Sequence, residues 1–123
     1  MVDDNLQHLE SIHRHLTYCG FEVIRATDPK RALELSSALR PDVIIADIRM
    51  PGLNGIELIR KFKEVQPDVK VILITGYYAE YEPSIKEALE TGLADHVLQK
   101  RYRASELEKL LRELLKTYSD DML

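Results

Sequence analysis

Short runs of Val and Ile alternate along this chain with stretches of helical spacing, and that alternation leaves few folds open. The clearest run is Asp42-Val43-Ile44-Ile45-Ala46-Asp47, which leads into the turn-rich Ile48-Arg49-Met50-Pro51-Gly52-Leu53-Asn54-Gly55. An apolar β-branched run with no polar alternation reads as a strand buried on both faces. Pro51, Gly52 and Gly55 make the next stretch a loop. Val69 to Ile74 is a second such run, closed by Thr75, and His96 to Gln99 is a short one, closed by Lys100. Phe21 to Ala26 reads as another short strand, and Met1-Val2 as a stub ahead of Asp3-Asp4.

The intervening stretches carry helical signals. Leu6, Leu9, Ile12 and Leu16 recur at helical spacing, and Cys19-Gly20 ends that helix. Asp28-Pro29 is an N-cap with Pro at the first helical position, opening a helix to about Leu39 with Ala32, Leu35 and Leu39 inward. Asn54 is expected to cap a third helix, with Ile56, Leu58, Ile59 and Phe62 apolar. Pro83 opens a fourth that ends near Thr91-Gly92. Ser105-Glu106-Leu107-Glu108 has the form of a capping box. Leu107, Leu110, Leu111, Leu114 and Tyr118 then form the last helix's apolar stripe.

Strands alternating with such helices imply right-handed βαβ units, a parallel sheet and a three-layer α/β sandwich. Ligands of open α/β sheets bind outside the carboxyl ends of the strands. Asp3, Asp4, Asp47, Thr75 and Lys100 all fall at that edge. Three carboxylates, one hydroxyl and one ammonium are thereby expected to converge.

Composition removes several function classes. A length of 123 residues fits one domain, read as residues 1–118 with a short tail at 119–123. Seventeen basic against twenty-one acidic residues give net −4 with no basic stripe, which argues against direct nucleic-acid binding. No run is long enough to span a membrane, and no signal peptide opens the sequence. Cys19 is the one cysteine, so no internal disulfide can form, which fits a cytoplasmic location. It reads as a packed helix-end residue. His8 and His13 read as surface helix residues, and none of the four histidines has a metal spacing that meets the acidic cluster.

The acidic pair, the strand-end Thr75, Lys100 after the last strand and the pattern Asp47-x-x-Met50-Pro51-x-x-x-Gly55 together resemble the receiver domain of bacterial two-component response regulators. The resemblance covers nearly the whole chain. It implies a flavodoxin-like sandwich, with a five-stranded parallel sheet in the order 2-1-3-4-5 and five helices. It implies a signalling domain, not an enzyme, that assists its own phosphorylation and dephosphorylation. Asp47 would accept a phosphoryl group from a histidine kinase or phosphotransfer protein. Mg²⁺ would be held by Asp4 and Asp47, by Asp3 through a water and by the backbone carbonyl of Arg49. Oxygen donors suit this hard cation. Lys100 and the Thr75 hydroxyl would meet the charge on the transferring oxygens. Gly76 would keep space for that group. The resemblance further implies an output domain or target protein, and allows a homodimer through the helix 4–strand 5–helix 5 face.

Departures from the pattern open a rival reading. Only Met1 and Val2 precede the acidic pair, Arg101 stands where Pro follows the lysine in the family, and Val97 occupies the family's aromatic switch position. Tyr102, His96, Tyr77, Tyr78 and Tyr81 are candidates to replace that ring. A receiver degenerated into a pure protein-interaction module would fit these losses; the intact Asp4, Asp47, Thr75 and Lys100 oppose it. A phosphatase of the haloacid dehalogenase type needs a second Asp two residues after the nucleophile, where Arg49 stands. A flavin site lacks a phosphate-cradling loop after the first strand. Arg49 and Tyr77, both large, are expected to obstruct water near Asp47 and slow loss of the phosphoryl group.

Overall fold

The computed structural model describes residues 1–3, 5–47, 49–50, 53–76, 83–100 and 102–120. In chain order the elements are α1 (Leu6–Tyr18), α2 (Pro29–Leu39), β1 (Val43–Asp47), β2 (Arg49–Met50), β3 (Leu53–Asn54), α3 (Gly55–Val65), β4 (Lys70–Thr75), α4 (Pro83–Glu90), β5 (His96–Gln99) and α5 (Ala104–Asp120).

The sheet is parallel. β1 pairs with β4 from Val43 opposite Lys70 to Asp47 opposite Ile74. β4 pairs with β5 from Ile72 opposite His96 to Thr75 opposite Gln99. On the other side of β1, Val2 bridges in parallel to both Ala46 and Ala26. Across the sheet the order is therefore Ala26, Val2, β1, β4, β5, the expected flavodoxin-like arrangement.

Its first two positions are single bridges rather than strands, which corrects the expectation for Phe21 to Ala26. Ala26 N–H donates to Met1 O at 3.0 Å, Val2 N–H to Ile45 O at 2.7 Å, and Asp47 N–H to Val2 O at 2.9 Å. A cavity of about 360 Å³ lies between the Phe21–Arg25 segment and Val43–Ile45. The Met1 ammonium donates to Ile24 O at 2.8 Å, and burial pulls its pKa down to about 6.

Alternation along β4 divides the core. Val71 and Leu73 face Ile56, Leu58, Ile59, Phe62, Ile85 and Ala88. Ile72 and Ile74 face Ile12, Leu16, Leu107, Leu110 and Leu111. Successive strand residues point to opposite faces, so one strand seats α3 and α4 on one side and α1 and α5 on the other. Each such aliphatic side chain contributes about 1.5–3 kcal/mol on burial. This is what fixes the strand ends at one edge.

Several local expectations change. Leu6 and Leu39 are 60% and 54% exposed, and Ser36 occupies a buried position on α2 instead. The loop after Asp47 contains an antiparallel ribbon, with Arg49 opposite Asn54 and Met50 opposite Leu53. Asp28 caps α2 as expected, accepting from Lys30 N–H, while Asn5 caps α1, accepting from His8 N–H. Helix α5 begins one residue before Ser105. Arg103 N–H bonds the Glu106 carboxylate at 3.3 Å, and Glu106 N–H returns to Arg103 O at 2.9 Å. Glu106 therefore closes this cap, and Glu108 is left to face α1.

Candidate functional site

The carboxyl ends of β1, β4 and β5 bring together residues far apart in sequence. Asp47 closes β1, with a side chain fully shielded from solvent, and Thr75 closes β4, 1% exposed. Lys100 comes directly after β5. Its N–H bonds Thr75 O at 2.6 Å, which ties the lysine's backbone to the end of β4. Its ammonium lies 2.9 Å from Asp47 Oδ2. Parallel pairing does this: in-register strands end together, so a residue closing each one joins the same edge.

Asp3 joins the edge through the single bridge of Val2. It is 2% exposed, with Oδ1 accepting from Asn5 N–H at 2.9 Å and Oδ2 2.7 Å from His8 Nδ1. His8 also meets the Tyr102 ring edge-on, with centroids 5.4 Å apart. Burial, then the negative charges of Asp3 and Asp47, push the Tyr102 phenol well above its usual pKa. Its hydroxyl is buried with no hydrogen-bond partner among the described residues.

The helical pattern alone leaves His8 on the surface; in the fold it is half-buried against the acidic site. A signal is available, since His8 lies one helical turn after Asp4-Asn5, but it needs the cap at Asn5 to be placed first. Among the described candidates, Tyr102 is the ring that this geometry puts beside the carboxylates. Val97 is half-buried and packs on the α3–α4 side of the core. A Cβ added at Gly76 would meet Lys100 Cδ at 3.7 Å, an ordinary contact, so the space beside Gly76 borders the lysine stem. Asp4, Tyr77, Tyr78, Tyr81, Arg101 and the Arg49 side chain lie outside the described residues.

Among the described residues, the buried carboxylates of Asp3 and Asp47 share this edge with the half-exposed Lys100 ammonium. The donor set is hard oxygen, the kind that suits a divalent cation such as Mg²⁺. The residues present thus fit Mg²⁺.

Comparison with known proteins agrees with this arrangement. Residues 1–112 match the family model of the response regulator receiver domain. Response regulator MprA of Mycolicibacterium vanbaalenii is 32% identical over 124 residues, covering 98% of this chain and 51% of the relative. The chain therefore spans about half the length of that curated relative. Among solved structures, chemotaxis response regulator CheY4 of Vibrio cholerae superposes with a TM-score of 0.81 at 25% identity, covering 93% of this chain and 94% of that one. A Burkholderia pseudomallei response regulator, solved with a phosphorylated aspartic acid, a calcium ion and citrate, gives 0.78 at 27% identity, covering 98% and 68%.

Proposed function

Because this chain belongs to the response regulator receiver family, we propose that Asp47 is its phosphoacceptor and that the chain passes on a signal from a histidine kinase or phosphotransfer protein. The observation that carries this reading is the buried Asp47 carboxylate with the Lys100 ammonium 2.9 Å away and Thr75 closing the neighbouring strand. A carboxylate oxygen of Asp47 attacks the phosphorus of the donor. The bond from phosphorus to the donor's nitrogen or oxygen breaks, and the leaving group keeps that electron pair. Lys100 neutralises charge on the transferred oxygens, and the Thr75 hydroxyl donates a hydrogen bond to one of them.

Asp3, Asp4, Asp47 and the Arg49 carbonyl would hold Mg²⁺, which supplies charge neutralisation for the transfer. That a related regulator carries a phosphorylated aspartic acid and a calcium ion supports this assignment. In our reading the receiver unit takes in residues 1–118 and acts in the cytoplasm. Among the described residues no helix is long and apolar enough to cross a membrane. Phosphorylation adds about two negative charges at Asp47, which reorders the Thr75 and Lys100 ends. An output domain, a target protein or a second copy through the α4–β5–α5 face reads that change.

The test is incubation with acetyl phosphate and Mg²⁺, then intact-mass measurement and adduct mapping. A single hydroxylamine-labile adduct on Asp47, absent from Asp47→Asn, is expected. A stable adduct, or one on histidine, overturns the assignment, and no adduct at all returns the interaction-only reading.

A further inference from the structure

We propose that His15, Cys19 and Glu108 form a zinc site that clamps the C-terminal end of α1 to α5. The three ligand atoms face one another. Cys19 Sγ lies 3.6 Å from His15 Nε2 and 3.2 Å from Glu108 Oε1, and His15 Nε2 lies 3.2 Å from that same oxygen. Zinc bonds run about 2.3 Å to thiolate sulfur and about 2.0–2.2 Å to imidazole nitrogen and carboxylate oxygen. Arranged tetrahedrally, such bonds set the ligand atoms roughly 3.3–3.6 Å apart. The observed triangle matches this spacing to within a few tenths of an ångström, so an ion enters with little movement of its ligands.

The surroundings hold the triangle in place. His15 and Cys19 are four residues apart, on one face of a helix. Cys19 is the helix's C-cap; its N–H donates to His15 O and the Gly20 N–H to Thr17 O, each at 3.1 Å. Arg112 donates to Glu108 Oε2 at 3.1 Å and to Cys19 O at 3.3 Å. It therefore engages the far carboxylate oxygen and leaves Oε1 toward the other two ligands. Leu16, Leu107 and Leu111 are buried beneath and fix the two helices against each other. All three ligand residues are partly exposed, which leaves a path for the ion and a fourth position for water.

The ligands decide the choice of ion. A thiolate with an imidazole selects zinc over Mg²⁺. The thiolate and carboxylate offset the ion's two charges, and the thiol proton leaves to solvent. Without the ion, the thiol donates to Glu108. The site is separate from the Asp47 edge: Cys19 lies eleven residues, about 16 Å of helix, beyond His8.

Co²⁺ is the probe, titrated into the full chain in a thiol-free reductant. One equivalent should give a thiolate-to-cobalt charge-transfer band with tetrahedral visible bands, and Zn²⁺ should abolish both by displacement. Cys19→Ser should lose the charge-transfer band, and His15→Ala and Glu108→Gln should each weaken binding at least tenfold. Asp47→Asn should give the same thiolate-to-cobalt charge-transfer band as the parent, which separates this site from the acidic edge, whose oxygen donors give no such band. Absence of the band from folded parent overturns the proposal. So does a band unchanged in both His15→Ala and Glu108→Gln, which would mean a thiol binding cobalt alone. Circular dichroism confirms folding of each variant.

Discussion

The Lys100 ammonium lies 2.9 Å from the Oδ2 of an Asp47 side chain that no solvent reaches, although Lys100 itself is 49% exposed. Half-exposed, the lysine is screened by water, so the pair adds at most about 1 kcal/mol to stability. In the proposed reaction its value is positional: the cation stands where charge would develop on an incoming phosphoryl group. Lys100→Met should therefore slow Asp47 phosphorylation by about a hundredfold while changing the melting temperature little. Rates of adduct formation with acetyl phosphate check this, and a parent-like rate removes Lys100 from the reaction.

In the proposed site the buried carboxylates Asp3 and Asp47 serve one divalent cation, and its charge offsets theirs. Mg²⁺ at a hundred times its Kd should stabilise the parent by about 2.7 kcal/mol. Asp47→Asn removes one of the charges and should lose most of that gain. Denaturant unfolding with and without Mg²⁺ measures it. An equal gain in parent and variant would place the ion elsewhere.

Helix α5 is seated on α1 through Leu107, which is fully buried among Ile12, Leu16 and Ile72. Leu107→Ala should cost about 2–5 kcal/mol, according to how far the cavity collapses. The proposed phosphoacceptor edge belongs to the strand ends, so phosphorylation per folded molecule should stay near parental. Loss of activity in folded variant would show that α5 supports the site directly.

Why so much of this was legible is a matter of topology. Val43–Ala46 and Val71–Ile74 are uninterrupted apolar runs, and only a sheet covered on both faces accommodates them. Once the strands are parallel, the residues closing them must share an edge, so Asp47, Thr75 and Lys100 can be grouped without coordinates. What escapes the sequence depends on long-range partners. Cys19 and Glu108 meet across 89 positions, and no local pattern signals that meeting. The local pattern gives Glu108 to a capping box because Ser105 precedes it by three; the helix starting at Ala104 gives that task to Glu106. Phe21–Ala26 has strand composition, yet its pairing is a single bridge from Ala26 to Val2, which no local pattern foretells. Leu6 and Leu39 obey the helical period yet sit at helix ends, beyond the reach of the core.

Tyr102 provides a readout of the acidic edge through pH. Burial first, then Asp3 and Asp47, raise its phenol pKa above the usual 10.0. For an acid whose folded pKa is raised, the unfolded chain loses its proton first. Between the unfolded and folded values the unfolded state binds fewer protons, so stability falls as pH rises above about 10. Tyr102→Phe abolishes that component of the alkaline loss. At neutral pH the same change removes a buried hydroxyl that has no partner among the described residues, so the variant should be as stable as the parent or about 1 kcal/mol more stable. Melting curves of both proteins from neutral to strongly alkaline pH are the measurement. The two should diverge above about pH 10, with the parent losing more, because the remaining tyrosines are common to both. Asp47→Asn in the parent background should narrow that divergence by removing one of the two charges that hold the proton. Parallel alkaline curves for parent and Tyr102→Phe would mean that the phenol ionises freely and does not sense Asp47.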